Sequence, residues 1–129
     1  MKKYVMLLFI VMAVWIRCTT PTIEKTEADS GTTVELKKGH RLDVVLNANP
    51  TTGYQWEIVN VDTTILLHLE TEYKPDEAPP GILGTGGKSI FHFQGGNTGK
   101  TALEIIYHRD FEENIPPIET FELTIIVQS

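Results

Sequence analysis

Cysteine is nearly absent from this sequence: Cys18 is the only one in 129 residues. No disulfide can close within the chain, so the fold rests on packing alone. Basic residues are scarce as well. Beyond residues 1–18 there are 8 Lys and Arg against 17 Asp and Glu, a balance of 8 − 17 = −9. A chain so charged is repelled by nucleic acid and anionic lipid, which excludes nucleic-acid binding. There is no apolar run long enough to cross a bilayer comfortably, because the longest, Tyr4 to Ile16, is too short.

The chemistry of a catalytic or cofactor site is missing too. His40, His68, His92 and His108 are scattered, with no i, i+4 pair and no cysteine partner, so a metal site would require strands to bring them together. No metal and no cofactor are expected. Gly95-Gly96-Asn97-Thr98-Gly99-Lys100-Thr101 resembles a phosphate loop only in part. Its first glycine is replaced by Gln94, and a strand pattern follows where a helix N-terminus is needed, so it reads as a turn between strands. No βαβ pattern surrounds Gly84 to Gly87, which excludes a dinucleotide fingerprint there. No serine stands in a strained elbow, and the neighbouring acids Asp110, Glu112 and Glu113 read as a solvated face. The chain is not expected to be an enzyme.

What is present begins with a leader. Lys2 and Lys3 precede the apolar run, the layout of a secretory signal over residues 1–18. Cys18 lies just after the apolar run and is the expected lipid attachment site of a lipoprotein, with plain secretion or an uncleaved anchor as alternatives. Residues 19–30 read as a polar tether and 31–129 as one domain, exported to a periplasm or cell surface or secreted.

From Thr32 onward the apolar residues recur with a period near two. Leu42, Val44 and Leu46 alternate with more polar neighbours, as do Tyr54, Trp56 and Ile58, then Phe91 and Phe93. Leu103, Ile105 and Tyr107 follow, then Phe121, Leu123, Ile125 and Val127. One apolar face per strand, with Gly, Pro and Asn clusters between strands, predicts an all-β fold. The expected form is an immunoglobulin-like antiparallel β-sandwich of about seven to eight strands. Trp56 is expected between its sheets. Two long connections interrupt the pattern, Tyr73 to Lys88 and Arg109 to Pro117.

The connection between Arg41–Asn47 and Tyr54–Asn60 is the most informative stretch: Asn49, Pro50, Thr51, Thr52, Gly53 and Tyr54. Proline fixes its own φ and restrains Asn49, the threonines are stiff, and Gly53 lets the chain double back. The result is a short, uncharged, rigid loop that loses little entropy on docking. By physics alone the chain is an exported binding module recognising its partner by loops.

Asn49 to Trp56 resembles the signature loop of the chagasin family, proteinaceous inhibitors of papain-like cysteine peptidases. Leu83-Gly84-Thr85-Gly86-Gly87 and Tyr107-His108-Arg109 resemble two further stretches of that family, in the same order. The resemblance implies that three loops at one end of the sandwich fill a peptidase's active-site cleft reversibly, with no covalent step. The loop of Asn49 to Tyr54 would enter beside the catalytic cysteine, Leu83 to Gly87 would lie along one wall, and Arg109, Asp110 and Phe111 would reach the other. The family's third loop usually reads Arg-Pro-Trp. Here Asp110 and Phe111 replace the proline and tryptophan, which removes a restraint and adds a charge expected to pair with Arg109. The implied partner is a papain-like peptidase met by a monomer, with membrane contact only through an N-terminal lipid or anchor. The rival reading is an exported immunoglobulin-like adhesion or binding module with no peptidase target.

Overall fold

The computed structural model describes residues 20–77 and 86–129. The leader, Cys18, Leu83, Gly84 and Thr85 lie outside them. Eight strands appear in chain order: β1 (Thr22–Thr26), β2 (Thr32–Lys37), β3 (Arg41–Ala48), β4 (Gln55–Asn60), β5 (Leu66–Pro75), β6 (Gly87–Gly95), β7 (Gly99–His108) and β8 (Glu119–Gln128). They form two four-stranded sheets, ordered β1-β3-β6-β5 and β2-β8-β7-β4. The fold is the expected all-β sandwich. Its neighbours pair antiparallel except for β1 on β3 and β2 on β8, which run parallel.

The period of two decides which side chains meet between the sheets. Leu42, Val44 and Leu46 of β3 and Phe91 and Phe93 of β6 face Leu103 and Ile105 of β7 and Phe121, Leu123 and Ile125 of β8. All are buried. Each fully buried large side chain contributes roughly 1.5–3 kcal/mol relative to exposure, enough in sum to hold a domain without disulfides.

Three expectations change. The residues read as a tether include, from Thr22, a strand aligned with β3 and a 3-10 turn over Glu27–Asp29. The irregular segment from Tyr73 is shorter than expected, since β5 runs on to Pro75 and pairs with Gly87 of β6. Trp56 is half-buried at the margin of the core rather than enclosed between the sheets, because β4 is an edge strand. The turn expected near Gly95 to Thr101 does join β6 to β7.

Register fixes which connections share an end. Ala48 pairs with Gly87, and Gly87 with Pro75. In the other sheet Gln55 pairs with His108, and Tyr107 with Glu119. The short link from Ala48 to Gln55 crosses from one sheet to the other, so it passes between sheets rather than between adjacent strands. The connections that begin at Asn49, Asp76 and Arg109 therefore leave from the same end. Thr22, paired with Arg41, and Gln128, paired with Lys37, lie at the opposite end.

Candidate functional site

The link 49–54 is a closed turn held by its own polar groups. Asn49 sits ahead of a 3-10 turn over Pro50–Thr52, and its side-chain oxygen accepts from the Thr51 amide at 3.2 Å and the Thr51 hydroxyl at 2.5 Å. The Thr52 hydroxyl and amide both donate to the Asn49 carbonyl, at 2.6 and 3.2 Å. Gly53 closes the turn at φ +82°, a left-handed value that glycine adopts without strain, and its amide donates to the Pro50 carbonyl at 3.1 Å. Pro50, Thr51, Thr52 and Gly53 are all exposed. The turn is thus formed before any partner arrives.

Side chains outside the turn hold it and the residues leading into it in place. The Asn49 amide donates to the Tyr107 hydroxyl at 3.0 Å. Tyr107 is buried and stacks on Trp56 at 4.8 Å between ring centres, so it is itself well fixed. The Trp56 indole donates to the Asn47 carbonyl at 2.9 Å. Asn47 is gripped again from both sides, by Glu27, which accepts from its amide and its side chain, and by Lys88, which donates to its side-chain oxygen. Asn47, Glu27, Lys88 and Tyr107 were not among the residues read from the sequence as the site. Glu27 and Lys88 lie far from the turn along the chain, Asn47 stands two residues before it with no local pattern to mark it, and Tyr107 entered only through the resemblance of Tyr107-His108-Arg109.

The third connection clasps the turn directly. Arg109 donates from Nε to the Thr52 carbonyl at 3.0 Å, lies 4.3 Å above the Tyr54 ring and forms an ion pair with Glu112 at 2.9 Å. The hydrogen bond it donates to Glu112 raises the guanidinium pKa still further above its usual value, so its charge is permanent. Phe111 stands against Gly53: a methyl added there would come within 3.3 Å of its ring. Phe111 is 73% exposed, a large apolar ring presented to solvent beside the turn. The expected pairing of Asp110 with Arg109 is not the pairing seen. Asp110 accepts from the Gln55 side chain and lies 3.3 Å from His108 Nε2, while Arg109 takes Glu112.

Of the second stretch, Gly86 and Gly87 are described. Gly87 is buried in β6, where a side chain would collide with the Lys74 carbonyl at 2.4 Å and the Tyr73 hydroxyl at 2.6 Å. The Gly86 carbonyl accepts from Asp76 at 3.0 Å, and its Cα faces the Ala48 carbonyl closely. The root of this connection therefore abuts the start of the turn. Structure brings together Asn49 to Tyr54, Gly86 and Gly87, and Arg109 to Phe111.

Comparison with known proteins bears on this end of the molecule. Residues 35–125 match a family model described as Chagasin family peptidase inhibitor I42. The chain is 37% identical to Amoebiasin-1 of Entamoeba histolytica over 103 residues, which covers 80% of this chain and 97% of that protein. Among solved structures it is similar to the cysteine protease inhibitor EhICP2 of Entamoeba histolytica, with a TM-score of 0.77 and 20% identity over 84% of this chain and 96% of that one. It is similar in fold also to PbICP-C in complex with falcipain-2, with a TM-score of 0.53 and 19% identity over 85% and 93% of the two chains.

Proposed function

Because the chain belongs to the chagasin family of peptidase inhibitors, we propose that it inhibits papain-like cysteine peptidases reversibly, by lodging the loops at one end of its sandwich in the active-site cleft. The observation that carries this reading is the exposed Asn49–Gly53 turn, uncharged, closed by its own hydrogen bonds and clasped by Arg109. A cysteine peptidase as target is supported by what similar structures are called: one is a cysteine protease inhibitor, another is bound to falcipain-2.

The physical logic follows from the catalytic pair of such an enzyme, a thiolate beside an imidazolium. A neutral threonine turn approaches that pair without burying a charge of its own. Being preformed, it loses little conformational entropy on entry. Phe111 offers an aromatic ring of the kind enriched at interface hot spots. Arg109 is already occupied by Thr52, Tyr54 and Glu112, so its part is to hold the first and third loops as one unit rather than to reach out alone. Gly87 acts from beneath, by letting β5 pack close. Export belongs to the same reading, supported by the charged and apolar leader of residues 1–16.

Titration into papain and a cathepsin L-like peptidase tests the proposal. Inhibition should be competitive and fully reversible, the inhibitor should be recovered uncut, and serine and metallopeptidases should be untouched. Thr52→Trp should abolish inhibition, because an indole at the tip of the turn cannot enter a narrow cleft. Progressive cleavage between Thr51 and Thr52, or undiminished binding by Thr52→Trp, would overturn it.

A further inference from the structure

On the outer face of β4 and β7, beside the third connection, two carboxylates converge on one imidazole nitrogen. His108 Nε2 lies 2.6 Å from Glu57 Oε2 and 3.3 Å from Asp110 Oδ1. One potential ligand atom from each of the three residues falls within 4.8 Å of the others. The pleat explains the meeting. Gln55 pairs directly with His108, so Glu57, two residues along the same face, reaches it diagonally, and Asp110 returns from the loop two residues after His108.

Two acids on a single nitrogen are an awkward arrangement for hydrogen bonding alone. One ring N–H has one proton to give, so whichever carboxylate takes it leaves the other facing a like charge. The contrast within this molecule is His92, which also binds two acids but uses both nitrogens, Nδ1 to Asp43 at 2.7 Å and Nε2 to Glu72 at 3.0 Å. Those carboxylates lie on opposite sides of the ring and cannot share an ion. At His108 they lie on the same side and point at one spot.

We propose that Glu57, His108 and Asp110 form a binding site for a divalent transition-metal ion such as zinc, with an imidazole, two carboxylates and at least one open position. Zinc holds nitrogen and oxygen ligands at about 2.0–2.2 Å, so two ligand atoms of a tetrahedral ion stand about 3.3 Å apart. The His108–Asp110 separation already has that value. The His108–Glu57 contact, at 2.6 Å, must widen by about 0.7 Å to match it, which the exposed Glu57 side chain can do by rotating about its own bonds. Gln55 donates to the other oxygen of Asp110 and so orients it, as a supporting residue does in established metal sites. An ion here ties the third connection to β4 and β7. Asp110 stands where the resemblance places a proline, so the ion supplies by coordination a restraint that the chain lacks covalently.

The probes are Zn2+ and Co2+ added to the purified protein, with binding followed by calorimetry and by the visible absorption of cobalt. One ion should bind per chain, and Zn2+ should displace Co2+. Glu57→Gln, His108→Gln and Asp110→Asn should each weaken binding by about tenfold or more, while His68→Gln, at an exposed histidine outside the cluster, should leave it unchanged. Thermal unfolding of each variant in chelator should match the parent, which separates loss of a ligand from loss of fold. Absence of binding, or equal loss in His68→Gln, overturns the site. The site rests on its own geometry, and peptidase titration of the same samples reports the proposed inhibition separately, so one can fail while the other stands.

Discussion

At Trp56 the side chain does two jobs at once, and its energetics divide accordingly. Half of the ring packs at the margin of the core against Tyr107, and its indole nitrogen fixes the Asn47 carbonyl. Trp56→Ala should cost about 2–3 kcal/mol in denaturant unfolding, less than the ~3–5 kcal/mol of a fully enclosed aromatic ring. Thr52→Ala removes an exposed hydroxyl that donates to the Asn49 carbonyl and accepts a long bond from the Tyr54 amide, and should cost no more than about 1 kcal/mol. Equal losses in the two variants would contradict the placement of Trp56. Gly53 answers to backbone rather than packing. Gly53→Ala forces a Cβ into a left-handed conformation, at about 1–2 kcal/mol, and drives it against Phe111. The variant should stay folded yet lose inhibition more than Thr52→Ala does, because both the turn and the neighbouring ring are displaced. Inhibition constants for the two variants decide it. The chemistry of this turn was legible in the sequence because proline, asparagine and glycine act on their immediate neighbours. The bonds of Tyr107 to Asn49, Glu27 to Asn47 and Gln55 to Asp110 were not, because each joins residues remote in sequence.

Strands divide along the same line between what the pattern shows and what it hides. β3, β6, β7 and β8 bury one face against the opposite sheet, and their alternation was plain. β5 is an edge strand whose residues after Leu66 are mostly exposed, and a bulge between His68 and Glu70 shifts its phase. Neither feature leaves a period of two to read, so the pattern does not mark its last residues as strand. What binds the outer face of β5 to its sheet is instead polar: Asp43, His92 and Glu72 form a ladder across β3, β6 and β5, with Lys74 3.7 Å from Glu72. Burial alone would lower the His92 pKa, but the hydrogen bonds its ring makes to the carboxylates of Asp43 and then Glu72 outweigh it and raise the value above 6.5, while the bond with His92 lowers that of Glu72 below 4.5. A raised histidine adds stability that is complete below its unfolded value and fades as pH climbs through the folded one; a lowered glutamate adds stability that fades as pH falls. The ladder should therefore be strongest in mildly acidic solution. Comparing wild type with His92→Gln, the difference in unfolding midpoint should be largest near about pH 5.5 and shrink by about pH 8. A difference that grows with pH would show that the ladder does not hold β5 through the charged ring.

Among the described residues, the molecule is two sheets with the roots of all three candidate loops at one pole, and both Thr22 and Gln128 at the other. Eight residues of β3 separate the poles, roughly 25 Å at the rise of a strand. The parallel pairing of β1 with β3 does this, because it sends the incoming chain towards the loops only after it has entered at the far side. A sandwich so threaded behaves like a plug with its cord at the back. Fixed to a bead or a sensor chip through either terminus, it should present the turn outward and capture a papain-like peptidase as strongly as it does free in solution. Attachment through a cysteine introduced at Glu113, beside the third connection, should block capture. Equal capture in all three orientations would place the binding surface elsewhere on the sandwich.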